Sequence, residues 1–136
     1  MRKIYLYIIY IAAAALAVSC ENNDVNLKLK NNSKYAVAFD SALDTIPDSV
    51  SIDMEIFLRG KIDPGKTVTM IKPGDSEGWL SLIQNSTNNK LNVFIMSADT
   101  LQKYNDWNLI RKNHLYKRYE YTEAELNKMN WVIEFP

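Results

Sequence analysis

The sequence predicts a mainly β domain, sandwich-like, with about six or seven strands and two or three short helices in its C-terminal half. Three observations carry this. Several stretches alternate apolar and polar residues with period two. Leu91–Met96 is almost continuously apolar, as a strand covered on both faces would be. Helix-start signals gather after residue 98. An α+β arrangement is the alternative.

Val25, Leu27 and Leu29 alternate with Asn26, Lys28 and Lys30 and predict a half-buried strand. Asn31-Asn32-Ser33 interrupts it, and Tyr35, Val37 and Phe39 resume the alternation, as in a hairpin or a bent strand. Residues 41–49, rich in Asp, Ser and Thr with Pro47, read as a loop. Ile52, Met54, Ile56 and Leu58 suggest the next strand. Asp63-Pro64-Gly65-Lys66 is a turn, with Pro for a fixed φ and Gly for a positive one. Residues 67–72 read as a strand stopped at Pro73-Gly74, and residues 79–83 fit either a helical turn or a short strand. Residues 85–90 form a polar loop. After the apolar run, Asp99 with Gln102 suggests a capping box, Asp106 a second N-cap, and Thr122 with Glu125 a third. Residues 116–121 return to strand character. Trp131, Ile133 and Phe135 form a closing strand.

The apolar weight of the chain is uneven. The 136 residues carry 16 basic and 16 acidic side chains, one His and one Cys. That length fits one domain, and zero net charge argues against nucleic acid as a partner. One Cys excludes an internal disulfide, and one Cys with one His excludes a His/Cys zinc site within one chain. Sixteen of the first 19 residues are apolar, preceded by the positive pair Arg2-Lys3. The run Ile4–Val18 is shorter than the roughly 20 residues of a spanning helix and matches a secretory signal. Ala17-Val18-Ser19-Cys20 resembles a bacterial lipobox, with Ala17 where Leu is usual. This resemblance implies cleavage before Cys20, acyl chains of the palmitate type on that residue, and membrane lipid as a partner.

The expected organisation is therefore residues 1–19 as lipoprotein signal peptide, 20–24 as lipidated Cys and short polar tether, and 25–136 as a single globular β-rich domain. From Cys20 onward the 117 residues hold 14 basic and 16 acidic side chains, a net charge of −2. The expected address is the bacterial envelope, at the outer membrane. The interrupted acidic run Glu21-Asn22-Asn23-Asp24 leaves the periplasmic and surface faces both open.

Gly60-Lys61-Ile62-Asp63-Pro64-Gly65-Lys66-Thr67 satisfies the phosphate-loop pattern. The helix that should present amides to phosphate is missing, because Val68–Ile71 is β-prone and Pro73 ends it. Asp63 would also put a carboxylate among anionic oxygens, so no nucleotide is expected. His114 is the one imidazole a hydrolase could use, and it lies among Arg111, Lys112, Lys117 and Arg118 without a nucleophile-elbow motif. Glu123 and Glu125 sit where acids complement a helix dipole. No catalytic residue, cofactor or metal site is expected, and the Asp40–Asp48 segment lacks the ligand density and Gly of a calcium loop. Asp40-Ser41-Ala42, Asp44-Thr45-Ile46 and Asp48-Ser49-Val50 resemble the Asp-Ser/Thr-apolar O-glycosylation signal of some gut bacteria, which makes Ser41, Thr45 and Ser49 candidate acceptors. Asp99-Thr100-Leu101 fits the same pattern but reads better as a helix start. Of the three Trp residues, Trp107 and Trp131 fall on apolar stripes, whereas Trp79 follows Gly78 in polar surroundings and is the candidate exposed ligand contact.

Val93-Phe94-Ile95, Ala98-Asp99-Thr100-Leu101, Tyr104, Trp107, Ile110, Lys117-Arg118-Tyr119, Leu126 and Asn130-Trp131 resemble, in order and spacing, the C-terminal half of small uncharacterised envelope lipoproteins of gut bacteria. The likeness covers residues 91–131. It implies an envelope location and a lipid anchor, and supplies no activity or catalytic residues. The expected role is non-catalytic binding or assembly with an envelope protein partner. An outward-facing carbohydrate- or peptide-binding module is the first alternative, and a small hydrolase using His114 the second.

Overall fold

The computed structural model describes residues 23–48, 53–73 and 77–136; Cys20 and Ser49 lie outside them. The described chain runs β1 (Asn23–Asp24), β2 (Lys28–Asn31), β3 (Val37–Ala42), α1 (Met54–Arg59), β4 (Thr67–Thr69), β5 (Lys72–Pro73), α2 (Gly78–Asn85), β6 (Leu91–Ser97), α3 (Ala98–Tyr104), α4 (Trp107–Lys112), β7 (Lys117–Tyr121), α5 (Glu123–Lys128) and β8 (Val132–Phe135). It is mainly β with short helices, as expected. The sheets are β4-β2-β8, β3-β6-β7 and the small pair β1-β5. All pairings are antiparallel except β2 with β8.

Two hydrophobic cores share the central strand. One face of β6, with Leu91, Val93 and Ile95, packs with Leu29, Ile133 and Phe135 of the β4-β2-β8 sheet, with Leu27 just before β2, with α2 and with Leu126 of α5. Its Met96 packs on the opposite side with Ala38 of β3 and with α1, α3 and α4 through Met54, Phe57, Leu101, Trp107 and Ile110. This explains the near-continuous apolar run of β6, because a strand buried on both faces has no polar side to alternate toward. No described helix exceeds eight residues, so these helices draw their stability chiefly from packing.

Several expectations change. Met54–Arg59, expected as strand through Leu58, are helical rather than extended. Asp53 accepts a hydrogen bond from the Glu55 amide at 2.9 Å, and the buried residues Met54 and Phe57 stand three apart, as one helical face requires. Phe57 stacks on Trp107 with centroids 5.1 Å apart, a contact that local alternation does not encode. Residues 78–85 resolve as helix. Helices α1 and α2 thus add to the C-terminal set of α3, α4 and α5. The N-cap of α3 is Ser97, whose Oγ accepts from the Thr100 amide, and Asp99 lies within the first turn. The Asp106 cap and the reciprocal Thr122–Glu125 capping box form as expected. The strand expected over 67–72 divides, with β4 joining β2 and β5 joining β1. Asn23 and Asp24, expected as tether, already belong to the fold.

Two buried polar side chains hold distant segments. Asp24, 2% exposed, accepts from the Trp79 amide through Oδ2 at 3.0 Å and thereby caps α2, whose own N-cap Glu77 offers no side-chain bond. Gly78 is required at this junction, since a Cβ there would lie 2.9 Å from Lys72 Cγ and 3.3 Å from Asp24 Cβ. Asn31, fully buried, donates from Nδ2 to the carbonyls of Tyr35 (2.7 Å) and Ile62 (2.8 Å). Its Oδ1 accepts from the Ser33 amide and hydroxyl. Replacing Asn31 by Leu leaves those backbone groups unpaired, and the expected loss is about 2–4 kcal/mol of unfolding free energy in chemical denaturation. Asn31→Asp is expected to cost at least as much at pH 7, because a carboxylate cannot donate to either carbonyl; equal stability of both variants with the parent would refute this assignment.

Candidate functional site

Strand directions give the sandwich two distinct ends. β2 and β8 run in parallel toward Asn31 and Phe135, and β6 ends nearby at Ser97, while β3 and β7 start there at Val37 and Lys117. At this end the space between the two sheets is open. The groove measures about 380 Å³ and is lined by Ser33, Tyr35, Val37, Ile95, Ser97, Thr100, Leu115, Tyr116, Lys117, Tyr119, Phe135 and Pro136. That volume lies near the lower limit of ligand sites, which run from roughly 300 to 1,000 Å³.

The lining has a definite chemistry. Val37, Ile95 and Phe135 form an apolar floor continuous with the first core. Six residues supply hydroxyls, namely Ser33, Ser97, Thr100, Tyr35, Tyr116 and Tyr119. Lys117 is the one charged side chain in the lining, and no acidic side chain contributes. Tyr35 is 51% exposed and carries Lys34 over its ring at 5.1 Å. Ser33 Oγ is fixed by Asn31 Oδ1 at 2.6 Å and by the Tyr35 carbonyl at 2.9 Å, so the buried Asn31 also shapes the groove rim. Ser97 Oγ and Thr100 Oγ1 lie 2.7 Å apart. The arrangement can bind a ligand with apolar faces and many hydrogen-bonding groups.

The expected site residues fall elsewhere. Trp79, expected to be exposed, is 3% exposed and packs edge-on against Phe39 at 6.3 Å. Lys72 Nζ lies 5.6 Å from its ring centroid, and the indole Nε1 has no hydrogen-bond partner among the described residues. The polar residues that follow it, Ser81, Gln84 and Asn85, lie on the exposed side of α2 while Trp79, Leu82 and Ile83 face the core, so local polarity misled. His114 is exposed, with φ of 53°, and its Nδ1 lies 3.1 Å from the Tyr116 hydroxyl. A hydrolase would instead need that ring against a Ser or carboxylate in a cleft.

Ser41 is half-buried within β3, and Thr45 is half-buried in the following loop, where its amide and hydroxyl both meet Asp44 Oδ1. This loop is fastened by three donors from the C-terminal half. Trp107 Nε1 reaches the Asp48 carbonyl, Arg111 Nε the Pro47 carbonyl and Arg118 the Thr45 carbonyl, at 2.8, 2.9 and 2.8 Å. The phosphate-loop pattern is a type II turn with Gly65 at φ of 72°, and β4 follows it. Its amides at Gly65 and Lys66 are bonded to the carbonyls of Asn31 and Asp63. Among the described residues no cluster of three His, Cys, Asp or Glu has metal-binding geometry. No described helix is long and apolar enough to cross a membrane.

One further carboxylate stands out. Burial pushes the Asp40 carboxyl up to about 6, with Asp48 adding to the rise, and the Ser41 amide and Lys72 opposing it. Neither the spacing nor the composition signalled this. Sequence reasoning also missed the groove, because Ser33, Ser97 and Pro136 share no motif and meet only through strand pairing.

Comparison with family models, with curated proteins and with solved structures finds no match to this chain.

The Asp40 shift has a defined sign. The folded chain keeps this proton up to about pH 6, whereas an unfolded Asp releases it near 3.8. Between those values the folded state binds more protons, so this group's contribution to stability falls as pH rises. Asp40→Asn is expected to be more stable than the parent at pH 7, by on the order of 2–3 kcal/mol, and to match it near pH 4. Denaturant titrations at both pH values check this, and a pH-independent difference would refute it.

Proposed function

We propose that this chain is a lipid-anchored protein of the bacterial envelope, held at the outer membrane through Cys20, that binds its ligand non-catalytically in the groove at the Tyr35 end of the sandwich. The groove carries the reading. It combines tyrosine faces, an apolar floor and a ring of hydroxyls, and its one charged side chain, Lys117, is suited to hydrogen bonding or ion pairing. Sugars match such a lining, since their C–H faces lie on aromatic rings while their hydroxyls exchange hydrogen bonds with the rim. Support for the anchor comes from the basic-apolar-small order of residues 1–19 and the lipobox-like Ala17-Val18-Ser19-Cys20. Any glycan on the Asp-Ser/Thr segment belongs to the same exported setting, and Thr45 is the loop acceptor among the described candidates.

A second reading, assembly with another envelope protein, is favoured by a different observation. Each helix over the second core leaves one large apolar residue exposed: Ile56 on α1, Tyr104 on α3 and Leu109 on α4. Exposed apolar side chains gathered on one layer suit a protein partner.

Two measurements test these readings. Cys20→Ser is expected to abolish palmitate incorporation and leave an uncleaved precursor; undiminished labelling would remove the anchor. Amide chemical shifts of the described domain, followed while mono- and disaccharides are added to millimolar concentration, are expected to move around Tyr35, Lys117 and Tyr119. Tyr35→Ala with Tyr119→Ala is expected to weaken that binding at least tenfold. Absence of any shift, together with loss of a crosslinked partner in Ile56→Asp/Leu109→Asp, would favour assembly instead.

A further inference from the structure

We infer that the β1–β5 edge, through Val25 and Ile71, is seated on the phospholipid bilayer that holds Cys20. The inference rests on the lipid-anchor reading and adds to it an orientation. It begins with Asp24, whose carboxylate is buried, caps α2 at Trp79 and accepts from the Asn26 amide at 3.0 Å. The fold therefore fixes the chain at β1. Cys20 precedes Asn23 by three residues, a reach of at most about 10 Å. The headgroup layer of one leaflet is itself roughly 5–8 Å thick. A tether that short brings the β1–β5 edge to the membrane surface whatever path it takes.

That edge presents two large apolar side chains among the exposed polar residues Asn23, Asn26 and Lys28. Asp24 pairs with Lys72 and Lys28 with Thr69, so residues 25–27 oppose only residues 70–71. The chain between β1 and β2 thus carries one residue more than the segment between β4 and β5. Here Val25 is 51% and Ile71 62% exposed, and Ile71 is the most exposed large hydrophobic among the described residues. Water is an unfavourable environment for both, and the acyl-headgroup boundary is a favourable one. Lys28 and Glu77 also lie exposed near this end, so charge does not select the surface and the apolar pair does. The groove lies at the other end of β2, roughly 20 Å along the strand direction, and would open away from the bilayer.

The test uses the lipidated full-length protein in vesicles of phosphatidylethanolamine and phosphatidylglycerol, with mass spectrometry first reading the acyl groups on Cys20. Single reporters at Val25→Cys, Ile71→Cys and Leu109→Cys carry an environment-sensitive fluorophore, and brominated phospholipid is the quencher. All three positions are exposed, so the substitutions leave packing intact. Quenching at 25 and 71 is expected to exceed that at 109 at least twofold. Equal quenching at all three sites in lipidated protein overturns the orientation and leaves the anchor standing. Probe shielding that disappears on dilution, and ignores brominated lipid, assigns the edge to a second copy and overturns it too. A Cys20 without acyl groups overturns both readings together.

Discussion

The side chain of Asn31 is the constraint on which the sandwich depends. It sits at the end of β2, where the chain must leave one sheet and enter the other, in a place that excludes water. Backbone groups exposed by that crossing need partners, and an amide can satisfy donors and acceptors together. Asn31 Nδ2 joins the Tyr35 and Ile62 carbonyls, while its Oδ1 holds Ser33. Its backbone takes part as well, since Asn31 N donates to the Lys66 carbonyl and Gly65 N donates to the Asn31 carbonyl. One residue thus connects β2, the crossing to β3, the bridge between Val37 and Ile62, and the Pro64-Gly65 turn. The same Ser33 that it fixes forms part of the groove rim.

Around that node the molecule is divided by β6. Helices cover one face of its sheet and the second sheet covers the other, so neither core would be complete without it. The helical side is closed by the 43–48 loop, fastened by Trp107, Arg111 and Arg118 to three of its carbonyls. Several residues of the C-terminal half make further contacts that hold this side together. Trp107 stacks on Phe57 as well as binding the loop. Arg118 also meets Glu120 at 3.0 Å. Asn130 and Trp131, both at positive φ, end α5 and direct the chain into β8, where the Trp131 carbonyl accepts from Lys28. Each of these residues has a contact that the fold uses.

The two ends of the sandwich differ in chemistry. One carries the groove, with its hydroxyls and tyrosines, and the other carries the buried Asp24 cap and the exposed Val25 and Ile71. That difference between the ends underlies the proposed anchor at one and the proposed ligand groove at the other.

The sequence by itself determined the β-rich class, the two-sided burial of β6, the turn at Pro64-Gly65 and the caps at Asp106 and Thr122. Each of these depends on neighbours within a few residues, which a linear pattern records. It also carries the basic-apolar-small order of residues 1–19 and the lone Cys20 that motivate the proposed anchor. Tertiary structure decided what local pattern could not. Residues 54–58 alternate like a strand but belong to helix α1 because Asp53 caps it and Trp107 receives Phe57. Trp79 looks exposed among polar neighbours but is buried because α2 packs onto the first core, where its ring meets Phe39 of β3. Asp24 looks like tether but caps a helix whose first turn lies 55 residues away. In each case the deciding partner is distant in sequence, and burial energy, which depends on what comes together in space, outweighs the preference of the local segment.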